Sequence, residues 1–318
     1  MAALAVVGKI TEVRAIDGAD FIQAASVDCG AAGRWSGVVG KDVEAGDGVT
    51  VFLQDAILPP SDRWAFMEKH KWRVRMARFK GVPSECLIVK GAPDMPPGTD
   101  MAEALGVTKY EKPIPVGMQG DAIGAFPGHI PKTDEPNFQS VPELVERMRT
   151  EPWYATEKAD GTSCTAYVDD AGLHVCSRNW ELREFTASGA SNVYWRAARK
   201  YGLDRLPQGV ALQFEVVGPG VQGNPMGLAE LEARAFTLRD TVNHRYLPWS
   251  TLVATTDALG IPTARFIGNG WQTDGRTDDE LRKMAEIKYP NGKHGEGIVI
   301  RALDSSWSFK VLNLRYEN

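Results

Sequence analysis

Thr156-Glu157-Lys158-Ala159-Asp160-Gly161-Thr162-Ser163 is the stretch on which the reading of this chain turns. Lys158 ends one apolar strand, residues 153–158, an Asp-Gly turn follows, and a second strand begins at once at residues 163–169. That order predicts a lysine amine at a strand–loop junction, where a small residue lets backbone approach a ligand closely. K-x-D-G strings also occur at ordinary surface hairpins, because turns favour Asp-Gly. The stretch alone therefore decides nothing, and its surroundings must.

Further polar islands follow, each set in an apolar strand: Ser177-Arg178-Asn179, Phe214-Glu215-Val216-Val217-Gly218-Pro219-Gly220, Glu296-Gly297-Ile298-Val299 and Phe309-Lys310-Val311. Carboxylates and lysines on strands built otherwise of Val, Ile and Phe are costly to bury. Such islands gathered in one domain point to a shared charged ligand with a metal, rather than to separate surface positions.

Around them, strand-like segments at residues 153–158, 163–169, 173–177, 211–217, 235–239 and 297–301 alternate with helical stretches at 188–201, 250–259 and 278–288. A helix over residues 141–149 is opened by Ser140 as N-cap. Strands outnumber helices and come in hairpins, as at Asp169-Asp170-Ala171-Gly172. The expected class is α+β with an antiparallel sheet, not a doubly wound parallel one.

Upstream, residues 4–90 read as short strands, at 5–13, 21–27, 35–39, 49–53, 72–79 and 87–89. Asp17-Gly18, Ala45-Gly46-Asp47-Gly48 and Lys80-Gly81 punctuate them, and that spacing predicts a small β-barrel. Prolines at 93, 96, 97, 113, 115, 127, 131 and 136 interrupt any long helix, with a domain boundary near residues 110–120. The one dense basic run lies in the barrel, where Lys69, Lys71, Arg73, Arg75, Arg78 and Lys80 alternate with Trp72, Val74, Met76 and Phe79. Period two predicts a strand with one basic face. By itself such a face is an ordinary solvated surface.

The 318 residues are 43% hydrophobic and 24% charged, the balance of a globular chain able to bury substantial cores in two domains. A net charge of -5 removes any argument for nucleic acid from global electrostatics, so local clusters have to carry it. No apolar run approaches ~18 residues and no basic region precedes the short apolar start, so neither membrane span nor signal peptide is expected. Cys29, Cys86, Cys164 and Cys176 include no C-x-x-C pair, which favours reduced thiols and a cytoplasmic location. The five histidines show no zinc spacing. Gly218-x-Gly220-x-x-Gly223 fits a dinucleotide pattern but lacks the strand-to-helix context, and that reading is rejected.

In set and order the islands resemble the nucleotidyltransferase motifs of the covalent ligase and capping-enzyme superfamily, over roughly residues 125–318. Gly218-Pro219-Gly220-Val221-Gln222-Gly223-Asn224-Pro225 after Glu215 resembles the RNA ligase branch, as does Pro131-Lys132-Thr133-Asp134-Glu135 upstream. A barrel ahead of this domain, with little sequence after Lys310, resembles the ATP-dependent RNA ligases of the Deinococcus and Naegleria type, which carry an N-terminal OB domain. The resemblance implies an OB-like β-barrel that binds nucleic acid over residues 1–115, linker included. An antiparallel α+β nucleotidyltransferase domain follows over residues 116–318.

It further implies ATP-dependent sealing of 3′-hydroxyl/5′-phosphate nicks through a lysyl-AMP and an adenylylated 5′ end. Lys158 is the implied nucleophile. Lysine attacks only when neutral, so its ordinary pKa of about 10.4 has to fall, by desolvation or beside a cation such as Lys310 or a metal. Mg²⁺ or Mn²⁺ is implied, with Glu215 and Glu296 as its ligands. Asp160 would orient the nucleophile or the ribose, Arg178 would meet a phosphate, and Lys310 the AMP phosphate. Adenine recognition would fall to the backbone beside Glu157 and a sandwich of Phe236 and Val299. Phe236 reads equally well as a core aromatic.

Lys69, Lys71, Arg73 and Arg75 are the implied nucleic-acid contacts of the barrel. The implied partner is a nicked duplex with an RNA 3′-hydroxyl end, met by a monomer with no membrane attachment. One departure stands out: the family often reads K-x-K in its last motif, and here Leu312 holds the second lysine's place, with Arg315 the candidate substitute. Two other readings remain open, a non-catalytic ligase-like module that holds nucleotide or RNA, and an mRNA guanylyltransferase.

Overall fold

Two β-rich units make up the chain, Met1–Pro113 with Phe138–Pro142, and Ile114–Asn137 with Glu143–Asn318. The computed structural model describes residues 3–110, 121–186, 189–270 and 275–316.

The first unit holds β1 (Ala5–Ala15), β2 (Ile22–Asp28), β3 (Arg34–Gly40), β4 (Gly48–Phe52), β5 (Ala56–Ile57), β6 (Ala77–Phe79), β7 (Val82–Ser84), β8 (Leu87–Lys90) and β9 (Thr108–Lys109). Its main sheet is antiparallel in the order β3-β2-β1-β4-β8. Inward side chains such as Val6, Ile10, Val27, Trp35, Val49 and Val51 form one apolar core. The expected small barrel is a half-barrel here, because among the described residues β3 and β8 form no ladder. Side chains occupy the free edge instead: Val38 N–H donates to Ser84 Oγ at 3.0 Å and Ser36 N–H to Glu85 Oε2 at 3.2 Å. Those bonds satisfy edge donors that an adjoining strand would otherwise take.

The basic run is not the strand its alternation predicts. Asp62–His70 is a 3-10 helix, and Lys71 and Trp72 follow it in left-handed backbone at φ 53° and 55°. The reason lies in the apolar positions. Trp64 and Met67, three apart, are buried together with Val74 against Phe52 and Leu58, which a helical turn permits and a strand does not. Extended pairing survives in two pieces: Arg73 bridges Ile57, and Ala77–Phe79 pairs with β7 across a turn at Lys80 and Gly81 with φ 52° and 82°.

The second unit contains β10 (Ala122–Ala125), α1 (Pro142–Thr150), β11 (Trp153–Glu157), β12 (Thr162–Asp169), β13 (Gly172–Cys176), β14 (Trp180–Leu182), α2 (Val193–Lys200), β15 (Val210–Val217), β16 (Glu232–Asp240), β17 (Arg245–Tyr246), α3 (Trp249–Leu259), β18 (Phe266–Gly270), α4 (Asp278–Met284), β19 (Gly297–Ala302) and β20 (Ser308–Leu312). A seven-stranded antiparallel sheet runs β10-β14-β13-β12-β15-β16-β17, and a four-stranded one runs β18-β11-β19-β20. The antiparallel α+β reading of this region matches.

Helix ends differ from the sequence reading where caps decide them. α2 starts at Val193, because Asn192 accepts from Trp195 N–H at 3.0 Å. α4 opens on a capping box of Thr277 and Glu280 and stops at Met284. α1 begins at Pro142, and Ser140 lies in the preceding turn rather than at the cap.

One face of the large sheet is dry. Cys164 and Ala166 of β12, with Leu212, Phe214 and Val216 of β15, pack on Tyr194, Trp195, Ala197 and Ala198 of α2. Successive side chains alternate, so Glu215 faces the other way. A one-residue slip would expose Phe214, losing about 2–3 kcal/mol, and drive Glu215 into the core at several kcal/mol more. The hydrophobic pattern thus aims Glu215 at the site. Among the described residues no helix is long and apolar enough to cross a membrane, and all four cysteines are buried and free.

Candidate active site

One face of the four-stranded sheet collects the predicted side chains. Thr156 of β11 stands opposite Val299 of β19, which stands opposite Lys310 of β20. Arg301 lies two residues along β19 on the same face, and Lys158 follows β11 with its N–H donating to the Gly297 carbonyl at 2.8 Å. The Lys158 amine meets Glu296 Oε1 at 2.6 Å, with each side chain about a quarter exposed (25% and 24%).

Burial pulls the Lys158 pKa down, but the charges of Glu296, Glu215 and Glu135 outweigh it and hold the ammonium well above its ordinary value. Nearby acid thus outweighs desolvation and favours the ammonium form of the amine. The fall expected of Lys158 is therefore left to a cation set against these acids.

Glu215 pairs in register with Ser163 and Arg234 and brings the large sheet to the site. Asp160 accepts a hydrogen bond from the Tyr316 hydroxyl. Gly161 is required by close approach rather than by an unusual φ: a Cβ there would collide with the Val216 carbonyl. The glycine-rich loop after Glu215 lies over this turn, with Gln222 donating to the Gly161 carbonyl. Gly218, Gly220 and Gly223 adopt φ of 111°, 85° and 75°, and this left-handed backbone accounts for them without a dinucleotide.

Glu157 is buried, its N–H donates to the Arg265 carbonyl, and its carboxylate lies 2.8 Å from the Arg265 guanidinium. Burial pushes its carboxyl up against the pull of Arg265 and Arg234. Arg178 is exposed and engaged by the upstream segment, 3.2 Å from Asp134 and donating to the Thr133 carbonyl at 3.4 Å. Phe236 is the extra residue of a bulge, between Ala235 opposite Phe214 and Thr237 opposite Gln213. Its half-buried ring lies 5.4 Å from the Arg301 guanidinium, while Val299 is buried on the facing sheet. Leu312 stands two residues past Lys310 on the same side of β20, and Arg315 pairs with Glu286 at 3.4 Å.

The sequence reading assigned no role to Glu135 or Arg301. Arg301 is only 3% exposed; it meets Glu135 Oε1 at 2.6 Å and donates to Thr156 Oγ1 at 3.3 Å. A charged residue inside Gly297–Ala302 bears the same mark as the other islands and could have been found by it. A cavity of about 270 Å³ opens beside this pair, lined also by Lys132, Thr237, Tyr246 and Ser308, at the end of the face away from Lys158. Tyr289 and Tyr316 carried no comparable mark.

In the first unit, Lys69, Lys71 and Arg75 are exposed, and Arg73 is half-buried and paired. Its guanidinium grips Asp55 through Nε at 3.1 Å and Nη2 at 2.6 Å and lies 3.5 Å from the Tyr110 ring centre. Main-chain bonds from Asp55, Leu58 and Val74 N–H groups turn this stretch inward.

Residues 151–313, more than half of the chain, match the family model described as RNA ligase. Solved structures of Naegleria gruberi RNA ligase are similar over nearly the whole length. The form with pyrophosphate is 30% identical, covering 98% of this chain and 97% of that chain at a TM-score of 0.80. A mutant with AMP and Mn is 30% identical, covering 98% and 96% at 0.81. A mutant with ATP and Mn is 29% identical, covering 98% and 97% at 0.81. No curated protein sequence matches. The fold is of the nucleotidyltransferase class. The chain belongs to the RNA ligase family.

Proposed function

We propose that the chain is an ATP-dependent RNA ligase that seals 3′-hydroxyl/5′-phosphate nicks with Lys158 as nucleophile. The observation that carries this reading is the part-buried Lys158 amine, paired with Glu296 and within the field of Glu215 and Glu135. The neutral amine attacks the α-phosphorus of ATP and pyrophosphate leaves, giving lysyl-AMP. AMP then passes to a 5′-phosphate, and a 3′-hydroxyl displaces it to close the phosphodiester. Each step is an in-line displacement that needs positioned groups and neutralised oxygens.

Glu215 and Glu296 would hold a divalent cation, Mg²⁺ or Mn²⁺. Carboxylate oxygens are the hard donors such ions take, and the raised Lys158 marks a surplus of acid that a cation suits. Among the described residues no group of three or more His, Cys, Asp and Glu forms a cage. Ions of this kind use one or two carboxylates together with water and substrate phosphates, which fits a pair of glutamates. The bound cation would offset the charge that keeps the amine protonated.

Asp160 is assigned to orienting the lysine or ribose, Lys310 and Arg178 to phosphates, and the backbone at Glu157 with Phe236 and Val299 to adenine. Residues 1–115 are assigned to an OB-like domain and 116–318 to the nucleotidyltransferase domain. The half-barrel and the exposed Lys69, Lys71 and Arg75 support a nucleic-acid role for the former, on a nicked duplex with an RNA 3′-hydroxyl end. Free cysteines suit a reducing compartment, and we assign the enzyme to the cytoplasm.

Incubation with α-labelled ATP and Mn²⁺ is the test. The wild type should become labelled and Lys158→Ala should fall to background with its thermal midpoint kept. Labelling of the variant at the wild-type rate refutes the nucleophile, and labelling by GTP instead of ATP favours a guanylyltransferase.

A further inference from the structure

We propose that Tyr289 is a positioning residue for lysine adenylylation, fixing the main chains of Lys158 and Glu296 to a single hydroxyl. Its Oη donates to the Lys158 carbonyl at 3.0 Å and accepts from the Glu296 N–H at 3.0 Å. A phenol can do both at once. Lys158 and Glu296 are 138 positions apart in sequence, yet their side chains meet at 2.6 Å. One oxygen thus ties together the two backbone segments whose side chains form the ion pair of the site.

The rest of the residue is held so that this oxygen cannot drift. The Tyr289 ring is 3% exposed and belongs to a small apolar cluster with Val217 and Met226, with Ala159 of the lysine loop packed alongside. The segment folds back on itself, with Tyr289 N–H donating to the Lys293 carbonyl and Gly295 N–H to the Ile287 carbonyl, both at 2.9 Å. A Cβ at Gly295 would lie 3.0 Å from the ring, so the absence of a side chain there lets the ring lie against the strand entry. Asn313, fully buried, secures the far side by donating to the Gly295 carbonyl at 2.8 Å and, from its N–H, to the Glu296 carbonyl at 3.0 Å.

Tyr289 bonds to backbone and not to the Lys158 amine, so its part is geometric. In-line attack requires the reacting atoms within about 3–3.5 Å, and a displacement of about 1 Å can lower a rate about 100-fold. Loss of the oxygen frees both main chains by a fraction of that.

The inference rests on the reading of Lys158 as nucleophile, and the experiment separates the two. Tyr289→Phe keeps the ring and removes only the oxygen. Single-turnover labelling of the full-length chain with α-labelled ATP and Mn²⁺ is followed across ATP concentrations, with the thermal midpoint measured in parallel. The rate at saturating ATP should fall about tenfold, with half-saturating ATP within about twofold and the midpoint lowered by only a few degrees. An unlabelled wild type overturns the ligase reading itself. A labelled wild type with the variant within about twofold of its rate overturns only the role of Tyr289. So does a loss confined to half-saturating ATP, and so does a variant unfolded at the assay temperature, which makes the residue structural.

Discussion

Lys158 and Arg73 are both cations drawn partly out of water beside a carboxylate, and their surroundings treat them in opposite ways. Arg73 is matched by Asp55 in a two-point grip and covered by the Tyr110 ring. Lys158 meets Glu296 and also feels Glu215 and Glu135, and its amine is raised despite burial. A guanidinium answered by one acid and one aromatic face is scaffold. An amine facing several acids from distant strands suits the proposed site, where a cation would offset them.

The contrast is tested hardest at the acids. Glu296→Ala and Glu215→Ala should each slow Lys158 labelling by about 10–100-fold, whereas Arg73→Ala should leave it within about twofold. Equal losses in all three would erase the distinction.

Glu135 sharpens it from another side, because its partner Arg301 is buried inside the sheet. Glu135→Ala should cost about 3–5 kcal/mol in urea unfolding by leaving that guanidinium unpaired. Burial pushes the Glu135 carboxyl up, but Arg301, Lys158 and Lys310 more than offset it and hold the group below its ordinary 4.5. Its contribution to stability is therefore complete above pH 4.5 and is lost as pH falls through the lower folded value. The variant should lose part of the acid-side slope of stability below pH 4.5, and an unchanged slope would count against the pair.

The smallest effects belong to the first unit. Arg73→Ala should cost about 1 kcal/mol, from a partly exposed ion pair and its stacking. Lys71→Ala and Arg75→Ala should weaken nick sealing a few fold at low salt without slowing self-labelling. Equal loss in the two assays would remove the division of labour between the units.

Lys158, Glu215, Glu296 and Lys310 were legible in one dimension because each is a charge inside or at the very end of an otherwise apolar strand. Arg301 bears that mark too, but Glu135 lies 166 positions upstream, so no local pattern joined them. Tyr289 was illegible for a different reason: a tyrosine in a turn announces neither a buried ring nor an oxygen shared by two main chains. The basic run was strand only in part, because the 3-10 helix anchored by Trp64 and Met67 runs on through Lys69 and His70, and left-handed backbone at Lys71 and Trp72 separates it from the paired Arg73 and Ala77–Phe79. The barrel stopped at half because side chains from Ser84 and Glu85 took the donors of the β3 edge.

Residue order by itself determined the types of group in the site, their sequence along the chain and the antiparallel strands that bear them. Alternation of side chains is a property of a few consecutive residues, so a linear reading can follow it. Tertiary structure alone decided which acid meets which base, that three acids surround the Lys158 amine, and that Arg73 turns inward. Those outcomes depend on partners scores of positions away and on how much water the packing excludes, and no local periodicity encodes either.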